Sequence, residues 1–116
     1  MNILFICTSN RDRSVALENY YKVRSPKHNY KSAGINRYKT ALYGTNYINE
    51  EDLEWADIVI CAEEIHKKIT LEKFPKFIQL SGYFYVLGVG DYEKKNMVEY
   101  LKKAEGLVAE ILKKYE

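Results

Sequence analysis

Short apolar runs alternate with stretches of helical periodicity along this chain. NILFI at 2–6 is a short, mostly apolar segment next to polar residues, which predicts a buried strand. RSVALENYYKVR at 13–24 carries a loose apolar face, which predicts a helix that ends at the Ser-Pro dipeptide at 25–26. NYKSAG at 29–34 predicts a second strand. The first part of the chain is therefore expected to form a strand–helix–strand unit.

The alternation continues through the rest of the chain, with one interruption. The segment at 35–48 has no clean period and is expected to be mostly loop. A glycine-containing loop is expected later, at 81–92, before the strongest amphipathic helix of the chain. The remaining predicted elements are a helix capped by Asn49 at 49–55, a strand at 56–62, a helix at 63–74, a strand at 76–80 and the last helix at 93–115.

Strands that alternate with helices indicate an α/β fold with a parallel sheet and helices on both faces. We expect one domain over 1–116, because no linker, repeat or low-complexity tract divides the chain. Ligands of such folds bind outside the carboxyl ends of the strands. Cys7 follows the first predicted strand, and it therefore lies where a functional site is expected.

Composition limits the partners and the cellular location that we expect, but it does not identify the chemistry. The 116 residues carry a formal charge of +2, with 18 basic and 16 acidic side chains, which is too balanced to favour nucleic acid or an anionic membrane as a partner. No signal peptide is expected before the first strand, and no run approaches the roughly 20 apolar residues of a membrane span. Two cysteines provide no disulfide framework, so a reducing, cytoplasmic location is expected.

The two histidines, His28 and His66, show no spacing typical of metal ligands, and we expect no metal and no cofactor. His66 is followed by Lys67 and Lys68 in a charged predicted helix, which favours a solvated imidazole. Cys61, at the end of the third predicted strand, is expected to be a small buried hydrophobic residue.

The strongest chemical signal is the turn between the first strand and the first helix. Cys7 is followed by five residues, 8–12, and then by Arg13 and Ser14. Backbone N–H groups in such a turn converge on one point, and the helix N-terminus adds positive potential, which together bind an anion. The same field favours the thiolate form of a cysteine. The planar guanidinium of Arg13 can hold two phosphate oxygens, and the Ser14 hydroxyl can donate to the sulfur.

At these residues the sequence resembles the low-molecular-weight protein tyrosine phosphatases, and more closely their short branch of predicted protein tyrosine phosphatases. The resemblance covers nearly the whole chain. It implies a phosphotyrosine protein phosphatase I-like fold, with three layers and a four-stranded parallel sheet in the order 2-1-3-4. The segments that carry it are ILFICTSNRDRS at 3–14, SAG at 32–34, EEDLEWADIVICAEEIH at 50–66 and GDY at 90–92.

The resemblance implies a role for each matching residue. Cys7 is the nucleophile, Arg13 binds the phosphate, and Ser14 stabilises the thiolate. Asp91 is the general acid, which protonates the leaving oxygen and then acts as a base on water. The remaining matches are Asn10, a loop residue type that tolerates left-handed backbone, and Ser32, which helps to hold that asparagine. The loop residues expected to surround the anion, which is a phosphate or sulfate-type group, are Thr8, Ser9, Asn10, Arg11 and Asp12.

Two positions depart from the pattern of these phosphatases. Asp12 stands where many of them keep a second cysteine, so a protective disulfide is not expected there, and we expect its carboxylate to point outward and pair with a neighbouring base. Tyr92 stands where a proline usually follows the acidic residue. Tyr92, Tyr38 and Tyr43 are the candidates for an aromatic wall beside a phenyl ring.

The predicted function is the hydrolysis of phosphotyrosine, in a protein or a small aryl phosphate, through a cysteinyl-phosphate intermediate. Arsenate reduction on the same fold is one alternative, but it relays a disulfide through further cysteines, and none follows Cys61. A phosphoryl carrier of a sugar phosphotransferase system is another, and the Arg13-Ser14 pair argues against it. A non-catalytic phosphate-binding module is the last, and it is disfavoured by the presence of Cys7, Arg13 and Asp91 together.

Overall fold

The sheet lies at the centre of the protein, whose computed structural model describes residues 1–89 and 97–116. Four parallel strands form this sheet in the order β2-β1-β3-β4, which confirms the predicted topology. The strands are β1 (Asn2–Cys7), β2 (Asn29–Gly34), β3 (Ile58–Cys61) and β4 (Phe84–Val86). Their carboxyl ends meet at one edge, as expected for parallel neighbours.

Helices cover both faces of the sheet. They are α1 (Arg13–Arg24), α2 (Arg37–Tyr43), α3 (Glu50–Trp55), α4 (Glu64–Lys73) and α5 (Met97–Lys113), with a 3₁₀ helix at Pro75–Tyr83. No helix among the described residues is both long and apolar enough to cross a membrane. The amino-terminal end of the last predicted helix, at 93–96, lies outside the described residues.

Strand β1 is apolar on both faces because it lies in the middle of a sheet covered on both sides. Ile3 and Phe5 share one core cluster with residues of α1 and α5. Leu4 and Ile6 share the other with Leu53 of α3 and the 3₁₀ helix. All four of these β1 side chains are buried. The expected three-layer architecture is thus confirmed, and the hydrophobic effect on both sides fixes where β1 ends and its polar loop begins.

The prediction of a fourth strand at 76–80 was wrong. That segment lies within the 3₁₀ helix, which begins at Pro75, and β4 is formed by Phe84–Val86 instead. A five-residue segment with three apolar residues, such as KFIQL, is ambiguous between strand and helix. Only Phe77 of this run is buried, whereas Ile78 and Leu80 are about half exposed. The aromatic and β-branched residues of β4 fit a pleated surface better and pair with β3.

The prediction that 35–48 is mostly loop was also wrong, because α2 occupies Arg37–Tyr43. The Asn36 side chain accepts a hydrogen bond from the Lys39 backbone N–H, and Gly44 ends the helix with a φ of 65°. The helix lacks an apolar period because Thr40 is its buried residue and its outer side is exposed. Its two capping residues were the only local signal for it.

Candidate active site

Strand β1 and helix α1 bring Cys7 and Arg13 to the two ends of the intervening loop at 8–12, which we call the anion loop. Cys7 is the last residue of β1, and Arg13 is the first residue of α1. Both are buried, with exposed fractions of 2% and 4%. The loop lies at the carboxyl edge of the sheet, where the sequence predicted a site.

The Cys7 sulfur is held by a chain of hydrogen bonds from the same loop. The Asn10 side-chain amide donates to Ser14 Oγ at 2.8 Å, and Ser14 Oγ lies 3.0 Å from Cys7 Sγ. An amide N–H can only donate, so it occupies an acceptor site of the hydroxyl and leaves the Ser14 hydrogen available for sulfur. All three residues are buried. The arrangement stabilises a negative charge on sulfur.

Asn10 has the left-handed backbone that the sequence indicated. Its φ is 54°, and it is the one described non-glycine residue with a positive φ. Its Oδ1 accepts from the Asn46 backbone N–H at 3.1 Å. The expected support from Ser32 takes a different form: its hydroxyl donates to Glu18, and its backbone carbonyl accepts from the Asn46 side chain at 3.0 Å. Asn46, which the sequence did not single out, links the two.

Strand β2 approaches the anion loop so closely that only glycine fits at its end. A Cβ on Gly34 would lie 2.8 Å from the Asn10 backbone nitrogen and 2.8 Å from the Ser9 carbonyl carbon. Beyond Gly34 the chain continues to pair with the site: the Ile35 N–H donates to the Cys7 carbonyl at 3.1 Å, and the Asn36 N–H donates to the Thr8 carbonyl at 3.0 Å. The loop is therefore anchored by backbone hydrogen bonds.

Arg13 is oriented by the segment that follows β3. Its Nη1 donates to the Glu63 carboxylate at 2.6 Å, and its Nη2 contacts Thr8 Oγ1 at 3.5 Å. The Arg13 side chain is 5% exposed and that of Glu63 is 39% exposed, so the pair lies at the boundary between core and solvent. Glu63 directly precedes α4. Its role was missed because the two residues are 50 positions apart in the chain.

His66 lies beside the same cluster, and the prediction that it is solvated was wrong. The residue is fully buried in the first turn of α4. Its Nδ1 accepts from the Glu63 backbone N–H at 3.0 Å, and its Nε2 lies 3.0 Å from Thr8 Oγ1. The flanking Lys67 and Lys68 suggested an exposed face, but a buried residue on the opposite side of a helix turn has no sequence signal of its own.

Six residues line a small cavity of about 80 Å³ above the sulfur: Cys7, Thr8, Ser9, Asp12, Arg13 and Lys39. Lys39, from the helix that the sequence did not predict, adds a second cation to this lining. Asp12 is half-buried. Within residues 1–89 and 97–116 its carboxylate forms no ion pair, so the expected pairing with a base stays a prediction.

An aromatic side chain packs against a residue of the anion loop. The guanidinium of Arg11 stacks over the ring of Tyr43, 4.4 Å from its centroid. Tyr38 is 76% exposed, and no contact between its ring and the cavity is present in the described structure. The predicted acid Asp91 and the predicted wall residue Tyr92 lie outside the described residues.

Cys61 is buried in the core cluster on the opposite face of the sheet from α1. It lies in register with Ile6, the neighbour of Cys7, and packs with Leu4 and Val59. Both cysteines are free thiols. Burial raises the pKa of the Cys61 thiol to about 12. The expectation of a small buried hydrophobic residue is confirmed.

The described residues contain no group of three or more histidine, cysteine, aspartate or glutamate side chains placed to hold a metal ion. The only cations in the cavity lining are Arg13 and Lys39 among the described side chains. A bound anion would therefore be held by these two side chains and by the backbone and hydroxyl donors of the loop.

No protein-family model and no curated protein sequence matches the chain. Solved structures do match it. A low molecular weight protein tyrosine phosphatase from T. tengcongensis is 24% identical, with a TM-score of 0.75 over 98% of this chain and 99% of that chain. Wzb from Vibrio vulnificus, solved in complex with benzylphosphonate, is 16% identical, with a TM-score of 0.78 over 97% of each chain.

A third match is the arginine phosphatase YwlE, in a mutant with a phosphorylated active-site serine. It is 21% identical, with a TM-score of 0.71 over 97% of each chain. Identities of this size establish a common architecture. The chain therefore has the fold of the low-molecular-weight protein tyrosine phosphatases, as the resemblance of its sequence predicted.

Proposed function

We propose that this protein is a cysteine-dependent phosphatase that hydrolyses phosphotyrosine and other aryl phosphate monoesters through a cysteinyl-phosphate intermediate. The observation that carries the proposal is the hydrogen-bond chain from Asn10 through Ser14 to the Cys7 sulfur, at the floor of a cavity that Arg13 also lines. This chain stabilises a thiolate next to a site for an anion, which is the combination that nucleophilic attack on phosphorus requires.

The reaction has two displacement steps. The Cys7 thiolate attacks phosphorus in line, an S–P bond forms, and the P–O bond to the phenol breaks. We assign protonation of the leaving phenolate to Asp91, from the resemblance of the GDY segment. Water, deprotonated by Asp91, then attacks phosphorus and releases phosphate, and the electron pair of the S–P bond returns to sulfur. The Ser14 hydroxyl stabilises that returning charge.

The charge of the cavity favours an aryl phosphate over a phosphoarginine. The relatives of this fold include proteins named for either activity. In the described lining of the cavity two cations, Arg13 and Lys39, stand against the acidic residue Asp12, and Arg11 of the anion loop adds a third cation nearby. A phosphorylated guanidine would bring a group that becomes cationic on protonation beside these charges, whereas a neutral phenyl ring would not. Tyr43, whose ring stacks with Arg11 of the anion loop, is the candidate for an aromatic wall beside such a phenyl group.

Arsenate reduction by a disulfide relay receives no support from the position of Cys61. A disulfide needs Cα atoms within about 7 Å and side chains that point towards each other. Cys61 instead belongs to the cluster of Leu4 and Ile6, and successive residues of a strand face opposite sides, so Cys7 is directed away from it. The chain has no other cysteine to take part.

The test is the hydrolysis of 4-nitrophenyl phosphate, phosphotyrosine and phosphoarginine by the wild type and by Cys7→Ser. We expect turnover of the two aryl phosphates, much slower release of phosphate from phosphoarginine, and no turnover of any of them by Cys7→Ser. Turnover by Cys7→Ser at the wild-type rate would contradict the proposed nucleophile. Preferential hydrolysis of phosphoarginine would contradict the proposed substrate class while leaving the mechanism in place.

The assignment of Asp91 is tested by the choice of leaving group. Asp91→Asn should slow the hydrolysis of phenyl phosphate, whose phenolate needs a proton, far more than that of 4-nitrophenyl phosphate, whose phenolate leaves readily. The ratio of the two values of kcat measures this difference. An equal loss for both substrates would remove Asp91 from the role of general acid.

A further inference from the structure

The hydrogen bonds of His66 determine which of its nitrogens carries a proton. Nδ1 accepts from the Glu63 backbone N–H at 3.0 Å, and a backbone N–H can only donate. Nδ1 is therefore unprotonated, and the neutral ring carries its hydrogen on Nε2. The 3.0 Å hydrogen bond between Nε2 and Thr8 Oγ1 accordingly runs from the histidine to the threonine.

The Thr8 hydroxyl receives a second donor from Arg13. The guanidinium Nη2 approaches Thr8 Oγ1 at 3.5 Å, and arginine has no acceptor atom. A hydroxyl oxygen has two lone pairs, so the two donors leave its own hydrogen to be donated elsewhere. In the part of the chain that the structure describes, the Thr8 hydroxyl has no acceptor for that hydrogen. Thr8 does line the cavity above the Cys7 sulfur.

We propose that the Thr8 hydroxyl donates a hydrogen bond to an oxygen of the phosphoryl group bound in this cavity, and that His66 is the positioning residue that directs it there. The inference rests on the proposed function, because it supplies the anion that the cavity receives. A free threonine hydroxyl rotates among several directions. Donation from His66 fixes one of them, and it polarises the O–H bond towards a negative acceptor.

The position of His66 agrees with such a role. The imidazole is fully buried, and the N–H that it donates would otherwise have to be satisfied in the core. Its other nitrogen is held by the backbone at the start of α4, which keeps the ring from rotating. This arrangement resembles the outer partners that orient metal-bound histidines, where a second hydrogen bond fixes the direction of the first.

Two substitutions of His66 separate its two hydrogen bonds. In His66→Asn the side-chain oxygen lies near the position of Nδ1, so the acceptor for Glu63 is kept and the donor to Thr8 is lost. In His66→Gln the side-chain amide reaches the position of Nε2, so the donor to Thr8 is kept and the acceptor is lost. We expect His66→Gln to have the lower Tm of the two, because it loses the contact at the helix N-terminus.

Activity should follow the opposite order. Thr8→Val should lower kcat/KM for 4-nitrophenyl phosphate by about 10- to 100-fold, which is typical for the loss of a hydrogen bond to a charged group. His66→Asn should lower it by about 3- to 30-fold, and His66→Gln should recover much of that loss. Thr8→Ser, which retains the hydroxyl, is the matched control for Thr8→Val.

The double variant Thr8→Val with His66→Asn decides whether the histidine acts through the threonine. If it does, the second substitution should add almost no loss of kcat/KM to that of Thr8→Val. Losses that multiply would overturn the proposal, because His66 would then act by another route. Wild-type kcat/KM in Thr8→Val would overturn it as well. A structural effect alone would lower Tm without producing this pattern.

Inorganic phosphate separates a failure of this inference from a failure of the proposed function. If the wild type hydrolyses no phosphate ester, the proposed function fails, and the inference is decided by phosphate binding alone. Phosphate should raise the Tm of the wild type, since a ligand that binds only the folded state stabilises it. The increase should be smaller in Thr8→Val and His66→Asn. Equal increases, or none in any of the three, would overturn the inference.

Discussion

At the scale of single residues, the geometry around Cys7 depends on neighbours that take no part in bond making. Gly34 is the clearest of these, because a Cβ there would lie 2.8 Å from backbone atoms of both Ser9 and Asn10. Backbone cannot rotate away as the end of a flexible side chain can. The anion loop can therefore adopt its shape only because Gly34, the last residue of β2, has no side chain.

We predict that Gly34→Ala lowers kcat for an aryl phosphate by at least about tenfold, because the loop must move away from the new methyl group. The free energy of unfolding should fall by about 1–3 kcal/mol, the usual cost of overpacking. Steady-state kinetics and urea unfolding measure the two effects.

Gly106→Ala is the matched control. A Cβ at this exposed position of α5 meets no heavy atom within 4 Å. It should leave kcat unchanged and raise the free energy of unfolding by about 0.5–1 kcal/mol, since glycine is unfavourable within a helix. Wild-type activity in Gly34→Ala would show that the loop tolerates the displacement.

The residues of the site fall into two groups according to how far the sequence predicted them. Cys7, Asn10, Arg13 and Ser14 lie within eight consecutive positions, and their arrangement follows from one strand, one turn and one helix. Site residues that come from distant segments of the chain were not predicted, because no local sequence pattern marks their contacts. His66 meets Thr8 across 58 positions, and its charged neighbours suggested exposure instead. Only the packing of α4 against the loop brings it there.

At the scale of elements, the start of α4 acts as a platform under the anion loop. Glu63, which precedes the helix, binds Arg13, and His66 in the first turn binds Thr8. The backbone hydrogen bond from Glu63 to His66 joins these two contacts. One helix N-terminus therefore orients both a cation and a hydroxyl of the site.

We predict that Glu63→Ala lowers kcat/KM for an aryl phosphate by about 10-fold, because the Arg13 guanidinium loses the carboxylate that fixes its direction. Glu64→Ala removes the same charge from the next, exposed position and is the matched control. The comparison of their kcat/KM values at equal ionic strength tests the contact. An equal effect in both variants would mean that Glu63 acts only through the overall field of the site.

Elements were predicted where an apolar face or run marks them. The bounds of α1 agree with the prediction because its Leu17 and Tyr21 recur on the core side. Helix α2 was missed because its large hydrophobic side chains are exposed and its buried residue is Thr40, so no apolar face marks it. The fourth strand was predicted too early because the segment KFIQL ahead of it, with three apolar residues in five, has the length and composition of a short strand. The local sequence pattern does not distinguish these two segments. The strand lies at Phe84–Val86 because those residues pair with β3.

At the scale of the whole molecule, the central sheet separates the two thiols. Cys7 opens onto the cavity at the carboxyl edge, whereas Cys61 lies in the core on the face covered by α3. Burial raises the pKa of Cys61 from its ordinary value of 9.0 to about 12, so its thiol is neutral at physiological pH. The two cysteines should therefore differ greatly in reactivity.

We predict that iodoacetamide at pH 7.5 modifies one thiol of the native wild type and none of native Cys7→Ser. In denaturant it should modify two and one, respectively, which mass spectrometry counts directly. Rapid modification of native Cys7→Ser would contradict the assignment of Cys61 to an inaccessible core.

The raised pKa of Cys61 also makes the free energy of unfolding depend on pH in the alkaline range. The folded state keeps this proton between pH 9 and 12, where the unfolded chain releases it. Its contribution to the free energy of unfolding is therefore fully present below about pH 9 and is lost as the pH rises towards 12. Urea unfolding of the wild type and of Cys61→Ala at pH 8 and pH 10.5 measures this, and the decrease over that interval should be smaller in Cys61→Ala.

The backbone hydrogen bonds that follow Gly34 affect which substitutions the protein can accept near the cavity. Ile35 and Asn36 donate to the Cys7 and Thr8 carbonyls through backbone atoms, so almost any side chain is compatible with these bonds. The outer face of α2, with Tyr38 and Leu42 exposed, is thus free to vary without disturbing the floor beneath it. Selection or engineering can change which molecules approach the cavity through substitutions on the outer face of α2, while the backbone hydrogen bonds to Cys7 and Thr8 stay in place.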